Sequence, residues 1–597
     1  MAKDWYLKMS NDNNVHRLSS SIGQLLEIIS VQHRLQMAWL VPLMVIVGLA
    51  EVLNIGIIIP YIGVLINPEF LVDNALFSKY LADLYIFQPD EIRLTLTLIL
   101  VFTTLGATML KVLLIWLRTK LSFSVGGFVS RRVFRNAIEQ SFESFVSQKP
   151  SDLVAAMTVK ADTIAQKVIL PALTFMSGLA IIVIFLIGLV AVMPLNLLVG
   201  CFGIVLGYVA VTLLVRKVLV KEGQAIAGHI SSLFHLAKES LDGFSEIKIY
   251  SLGGRQFRRF SDVDAAYRSS LTKNAFLSEF PKSIFESLII LGFAAYCYSL
   301  IGDGNDVTLL DYIPILGGLA YVAQKMIPVL QQVYSSWSTI LSSIPIVDDV
   351  VMIAREEYDL DEFGNSIRNT DLKSELEFKE IGYCTPAGER IIEDISFRIK
   401  KGENIALIGE SGSGKTTFLN VISALLAPTD GEVRWDGQNV DLKERRQKGM
   451  IGYCGQSAYV FNATIAENIT MKDLAEITAE DREFVNELLA RLGLADGQRS
   501  SNLNSNIVVG SGGIQLSGGE KQRISIARMM FCKAEVNLLD ESTSALDSVT
   551  EEMVLSALFK ELSDVTVLFI THRIAPLKYC NRVITFDSGK LTGIEDR

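Results

Sequence analysis

The sequence lacks the features that organise small secreted or metal-bound domains. Its 597 residues include six cysteines, at positions 201, 297, 384, 454, 532 and 580, and no pair has C-x-x-C spacing. That excludes a disulfide framework or a cysteine zinc site as the organising device. Four of the six lie in the polar last third, so that third is expected in a reducing compartment. Lysines and arginines form no long block and the net charge is -10, which argues against nucleic acid as a partner. No internal repeat or low-complexity tract occurs. A polar leader precedes the first apolar run, which is too long for a signal core, so the expectation is a retained membrane span.

Apolar residues, by contrast, make up half of the chain, and the mean hydropathy is +0.35, the composition of a membrane protein. Runs at Ala38–Ile66, Leu94–Leu117, Val168–Val192, Leu195–Val215, Ser283–Ile301 and Leu310–Val333 are each near the ~20 residues needed to cross hydrocarbon, which predicts six spans. The segment between the first two carries Glu69, Asp73, Asp83, Asp90 and Glu91 against Lys79 and Arg93, and Asp303 and Asp306 follow the fifth. The segments 118–167 and 216–282 are rich in bases, which places them and both termini on the cytoplasmic side. Their helical periodicity predicts helices that continue beyond the bilayer. Ile22, Leu25, Leu26 and Ile29 recur at helical spacing, as in a helix lying on the membrane surface or packed on the protein. The expected organisation is a cytoplasmic N-terminal helix in 1–36, a membrane domain in 37–350, a linker in 351–371 and a soluble domain in 372–597.

The soluble part opens with a buried-type strand, Ile405–Ile408, followed by "GESGSGKTT" and an apolar helix. In that setting Gly409, Ser411, Gly412, Gly414, Lys415, Thr416 and Thr417 read as a P-loop. Glycines let backbone N–H groups curl around phosphate oxygens, the helix N-terminus favours negative charge, Lys415 neutralises the β- and γ-phosphates, and Thr416 can ligate magnesium. A second strand, "VNLLDE", ends in Asp540 and Glu541 and is expected beside the P-loop strand. There Asp540 would hold magnesium and Glu541 would take a proton from the attacking water. A third strand, in "VTVLFITHR", ends near His572, placed for a γ-phosphate.

The ordered set of P-loop, Gln456 in "GYCGQ", "LSGGEKQR", "LLDE", "SALD" and His572 resembles the ATPase domain of ABC transporters. Six spans ahead of one such domain further resemble the exporter-type half-transporter. The resemblance implies an all-α membrane domain of six helices joined to an α/β P-loop nucleotide-binding domain, with ATP and Mg2+ as cofactors. It implies that Glu541 is the general base, that Gln456 senses magnesium and the attacking water, and that Ser517, Gly518, Gly519 and Asp547 meet the nucleotide site of a second identical chain. Segments around Phe142–Asp152 and Asp242–Ser251 would transmit closure. Two positions depart from the family pattern. Thr385 stands where relatives stack an aromatic on adenine; Tyr383, on the same strand face, is either the replacement or a core residue, in which case no residue stacks there. "VVGSGG" stands where relatives carry an acid ahead of the signature.

Charged residues inside apolar runs must face a cavity or a partner. Glu51, Lys111 and Lys325 are therefore candidates for a substrate cavity, for pairing with one another or for snorkelling toward the interface, and Glu286 lies near the cytoplasmic start of the fifth run. The surroundings of "PKSIFESLII" and "AQKMIPVLQQV" resemble bacterial flippases of lipid-linked oligosaccharides. That resemblance implies export of an amphiphile from a bacterial inner membrane, with membrane lipid as a partner. A peptide or small hydrophobic cargo, or a regulatory or channel-like role, are the alternatives.

Overall fold

The computed structural model describes residues 14–66, 89–192, 195–302, 309–355, 372–440, 450–495 and 503–597. The chain divides into two compact units, residues 1–140 with 145–358 and residues 141–144 with 359–597.

The first unit is built from long helices. They are α1 (Asn14–Ile28), α2 (Val31–Ile66), α3 (Pro89–Glu139), the short α4 (Phe142–Ser147), whose residues 142–144 belong to the second unit, α5 (Pro150–Ala155), α6 (Ala161–Ile164), α7 (Leu170–Val192), α8 (Leu195–Asp242), α9 (Phe244–Ile249), α10 (Gly253–Gly302) and α11 (Leu309–Ala354). Among the described residues, four stretches are long and apolar enough to cross a membrane: Val31–Leu65, Ile92–Glu139, Pro150–Ile187 and Gln324–Ala354. The runs read from the sequence as spans four and five fall on α8 and α10, which lie partly outside the described side chains. At 51 residues, α3 is about 75 Å long, more than twice the ~30 Å of a hydrocarbon core, so it extends well past one face of a bilayer.

α1 packs on the protein. Leu25, Ile28 and Ile29 are buried in a core with Leu40, Met44, Leu121, Val347 and Val350, which decides between the two readings of that helix. Helix ends leave carbonyls without intrahelical donors, and one guanidinium serves two such ends. Arg132 donates from Nη1 to Ile28 O at 3.0 Å and from Nε to Ala354 O at 3.1 Å. The helical run from Pro150 to Val192 contains two π-turns, Ala156–Lys160 and Ala165–Ile169. π-turns disturb the regular carbonyl pairing, and serines of α3 supply donors: Ser130 Oγ to Met157 O at 2.6 Å, and Ser122 Oγ to Ala165 O.

The second unit contains a six-stranded, mostly parallel sheet of order β12–β11–β3–β10–β9–β6. Its strands are β3 (Asn404–Gly409), β6 (Ile451–Cys454), β9 (Val536–Asp540), β10 (Thr566–Ile570), β11 (Arg582–Asp587) and β12 (Lys590–Asp596). All five residues of β9 and all five of β10 are buried, which is why both read as continuous apolar runs rather than alternating ones. A second, antiparallel sheet of order β2–β1–β4–β5 comprises β1 (Glu375–Cys384), β2 (Arg390–Lys400), β4 (Asp430–Trp435) and β5 (Gln438–Asn439). Helices α12 (Lys415–Ile422), α13 (Ile465–Thr470), α14 (Ala479–Arg491), α15 (Gly518–Cys532) and α16 (Ser548–Glu561) complete the unit.

The strand order corrects one expectation. β9, with its terminal acid, does not lie beside the P-loop strand; β10 stands between them, pairing in parallel with both. Strand neighbours in a parallel sheet are set by crossovers, which local sequence does not encode.

Candidate active site

Register aligns the strands so that Leu407, Ile570 and Asp540 are level, with Cys454 paired to Leu539. The residues just beyond these carboxyl ends are the P-loop after β3, His572 after β10, Glu541 after β9 and Gln456 after β6. Open α/β sheets place their ligands at such ends.

The P-loop turn depends on two glycines. Gly409 has φ +149°, and a Cβ there would lie 2.2 Å from Phe586 O; Gly414, φ +99°, is the left-handed residue that opens α12. Lys415 is buried and donates from Nζ to Gly409 O at 2.9 Å, Glu410 O at 2.7 Å and Ser413 Oγ at 3.3 Å. Burial pushes its pKa below the usual lysine range, against the pull of Glu541 and Asp540. Ser411, Gly412 and Thr416 on this turn are exposed, and Thr417 is half-buried.

Glu541 is the meeting point of the motifs. Gln456 donates from Nε2 to Glu541 Oε2 at 3.0 Å, and His572 Nε2 lies 3.2 Å from Glu541 Oε1. Glu541 itself has φ +46°, a left-handed conformation rare outside glycine, and its N–H donates to Ile570 O at 3.1 Å. Strain of this kind clusters where side chains must be aimed. Asp540 is buried, which pushes its carboxyl above the usual range; the Thr416 hydroxyl hydrogen-bonds it and opposes the shift, the neighbouring Glu541 adds to it, and Lys415 opposes it. Thr416, Asp540 and the Gln456 amide form an all-oxygen donor set, suited to a small hard dication shared with phosphates. Among the described residues no cluster of three or more His, Cys, Asp or Glu side chains forms a separate metal site.

Ser517 is the N-cap of α15, with a reciprocal capping box: Glu520 N donates to Ser517 Oγ at 3.3 Å, and Ser517 N donates to Glu520 Oε2 at 2.7 Å. Gly518 and Gly519 form the first turn of that helix. Asp547 caps α16, accepting from Thr550 N at 3.0 Å.

Two residues that motif reading passed over join these loops. Gln522 is buried and donates from Nε2 to Gln456 O at 3.3 Å and Ser544 Oγ at 3.2 Å, and it accepts from Ala545 N at 3.0 Å. It lies inside the signature octapeptide, the only sequence signal for it. Arg573, directly after His572, donates to Ser544 O at 2.9 Å and Leu546 O at 3.1 Å.

Of the two readings of Tyr383, the structure has the core one. Its ring is 5 % exposed in the core beneath the antiparallel sheet, and its hydroxyl donates to Glu143 Oε1 at 2.9 Å. A ring held there is not free to stack on a base. The ring is core because that face of β1 packs into the apolar cluster that includes Ile392, Phe418 and Leu419. Burial, together with Glu143, pushes the phenol up to about 12. In the first unit, Glu51, Lys111 and Lys325 meet one another: Lys111 Nζ is 2.9 Å and Lys325 Nζ 3.5 Å from the Glu51 carboxylate.

A P-loop, a strand-terminal acid pair and a histidine beyond the next strand, along the parallel part of one sheet, define a P-loop ATPase domain, here following a bundle of long helices. A family model described as "ABC transporter transmembrane region" matches residues 18–325, just over half of the chain, and one described as "ABC transporter" matches 392–544. The chain belongs to the ABC transporter family, with its membrane region and ATPase domain fused. It is 28% identical over 378 residues to the ATP-dependent lipid A-core flippase of Bordetella avium (strain 197N), covering 60% of each chain. It is 28% identical over 474 residues to the uncharacterized ABC transporter ATP-binding protein y4gM of Sinorhizobium fredii (strain NBRC 101917 / NGR234), covering 77% of this chain and 78% of that one. The structure of a bacterial Atm1-family ABC exporter with ATP bound shares the fold, with a TM-score of 0.74, 18% identity, and 95% of this chain and 96% of that chain covered.

Proposed function

We propose that this chain is one half of a homodimeric, ATP-driven exporter or flippase of an amphiphile, best matched by a lipid-linked oligosaccharide or polysaccharide precursor. The observation that carries this reading is the convergence of Gln456 and His572 on Glu541, at the ends of strands that also carry the P-loop. In this reading Lys415 grips ATP, and Thr416, Asp540 and Gln456 hold Mg2+, which supplies charge neutralisation at the phosphates. Glu541 orients and deprotonates the attacking water, with Gln456 and His572 fixing its two oxygens. Ser517, Gly518, Gly519 and Asp547 act on the nucleotide of the second copy. Six helices cross a bacterial inner membrane, and the ATPase domain is cytoplasmic. The similarity to proteins named lipid A-core flippases supports an amphiphilic cargo.

The test is reconstitution of the full chain in lipid discs, followed by measurement of ATPase rate with lipid-linked sugars, peptides and hydrophobic compounds, using Glu541→Gln as the hydrolysis-dead control. Stimulation by lipid-linked sugars and not by peptides is expected. Stimulation confined to peptides would overturn the cargo, and unchanged turnover in Glu541→Gln would overturn the site.

A further inference from the structure

Three helices of the first unit bring charged side chains of apolar segments to one place. Glu51 of α2 accepts from Lys111 of α3 and, through its other oxygen, from Lys325 of α11. The Glu51 side chain is 11% exposed, whereas those of Lys111 and Lys325 are 48% and 37% exposed. The carboxylate thus lies beneath two outward ammonium groups. Among the described residues, Glu51 is the acid within ion-pair distance of either lysine, so the cluster carries surplus positive charge. Glu51 and Lys111 lie in stretches apolar enough to cross a membrane, and Lys325 begins the second residue of another.

The surroundings are of two kinds. One turn from Glu51, the buried Asn54 accepts from Thr104 Oγ1 of α3 at 2.9 Å, a second polar tie between the same helices. On the side toward α7 and α11, Val52, Ile55, Phe185, Tyr321 and Met326 form an apolar cluster, and the Tyr321 ring centroid is 5.8 Å from Lys325 Nζ. Cationic donors therefore border an apolar wall.

Unbalanced charge inside a membrane is costly and marks a site with a further partner. Each ammonium has three donors, of which Glu51 occupies one on each lysine. A phosphate offers the complementary acceptors. We propose that Lys111 and Lys325 form a subsite for the phosphate of an anionic amphiphile, with Glu51 as an internal counter-ion that the phosphate partly displaces. This rests on the reading of the chain as an amphiphile exporter. The two contacts are unequal: 2.9 Å to Lys111 is a full hydrogen bond, and 3.5 Å to Lys325 is at the limit of one. Lys325 is thus the group the cargo takes. Its transfer from Glu51 to phosphate exchanges the polar tie between α11 and α2 for one to the cargo and leaves the α2–α3 tie in place, so bound cargo alters how these helices are joined, as coupling requires.

The experiment uses the full chain in lipid discs and compares undecaprenyl phosphate with undecaprenol, which share a tail and differ in the phosphate, with inorganic phosphate as a third arm. The readout is the concentration giving half-maximal change in ATPase rate. The phosphate lipid is expected to act at a concentration at least tenfold below the alcohol, about 1.4 kcal/mol. Lys325→Gln should abolish that preference while leaving the alcohol's effect, and Glu51→Gln should strengthen it by removing the competing carboxylate. Opposite signs from two neutralising substitutions separate a binding role from damaged packing. Equal potency of phosphate and alcohol in the wild type, or a loss of preference in both variants, would overturn the subsite. Inorganic phosphate should compete only at far higher concentration; potency equal to the lipid's would overturn its assignment to a lipid cargo. Were neither lipid to alter the rate, the amphiphile reading itself would fall.

Discussion

Arg573 Nη1 donates to Glu551 Oε2 at 2.9 Å, an ion pair in which the carboxylate is almost wholly buried and the same guanidinium also holds Ser544 O and Leu546 O. Thr543 Oγ1 occupies the other Glu551 oxygen at 2.7 Å. The residue after His572 is therefore wired to the loop that ends in Asp547.

Arg573→Ala should slow ATP hydrolysis about tenfold or more while leaving ATP affinity nearly unchanged, since it removes charge-assisted hydrogen bonds worth ~1.5–3 kcal/mol from a loop rather than from the nucleotide grip. A double-mutant cycle with Glu551→Gln, read by steady-state ATPase and nucleotide binding, checks it. Additive losses would show that the pair does not act as a unit.

Glu541→Gln is nearly isosteric and removes the carboxylate proposed as the base. Turnover should fall by ~10²–10⁴, the usual worth of a general base, with nucleotide binding retained. Single-turnover hydrolysis and equilibrium binding on the same preparation separate the two effects.

Tyr383→Phe deletes the hydroxyl that bonds Glu143 and keeps the buried ring. Affinity for ATP should be unchanged and stability should fall by about 1 kcal/mol, the net worth of one hydrogen bond. A large loss of nucleotide affinity would restore the stacking role. With the phenol pushed up to about 12, neither quantity should show a Tyr383 titration below pH 10.

Asp436 fixes the entry into β1, accepting from Lys373 N at 2.9 Å, Ser374 N at 2.6 Å and Glu375 N at 3.1 Å. Burial pushes its carboxyl up, but these bonds and the Ser374 hydroxyl outweigh it and hold the group below the usual range. A depressed folded-state pKa stabilises above the unfolded value of about 3.9 and loses that contribution as pH falls through the folded one. Asp436→Asn should therefore lower amide-exchange protection at residues 373–375 by a constant amount from pH 7 to about 5, and the difference should close below about pH 4.

What the sequence disclosed was local chemistry. Gly409, Lys415, Gln456, Glu541 and His572 each follow or precede a recognisable apolar strand, and the motifs carry their own context. What it hid was pairing at a distance. Nothing near Val536 says that β10 separates β9 from β3, and nothing near Glu51 says that Lys111 and Lys325 will both meet it. Tyr383 alternates correctly for its face of β1, yet which face becomes core depends on β2 and β4. Arg132, Gln522 and Arg573 act on backbone carbonyls of remote loops, and such bonds leave no spacing to read.

The interposed β10 also makes the sheet a ruler. Two interstrand steps of ~4.8 Å put roughly 10 Å between the P-loop strand and the strand that ends at Asp540, whereas adjacent strands would halve that clearance. Room for a terminal phosphoryl group and its water is thus built into backbone spacing, and repacking the interior of β10 would shift catalytic reach without touching any reacting group.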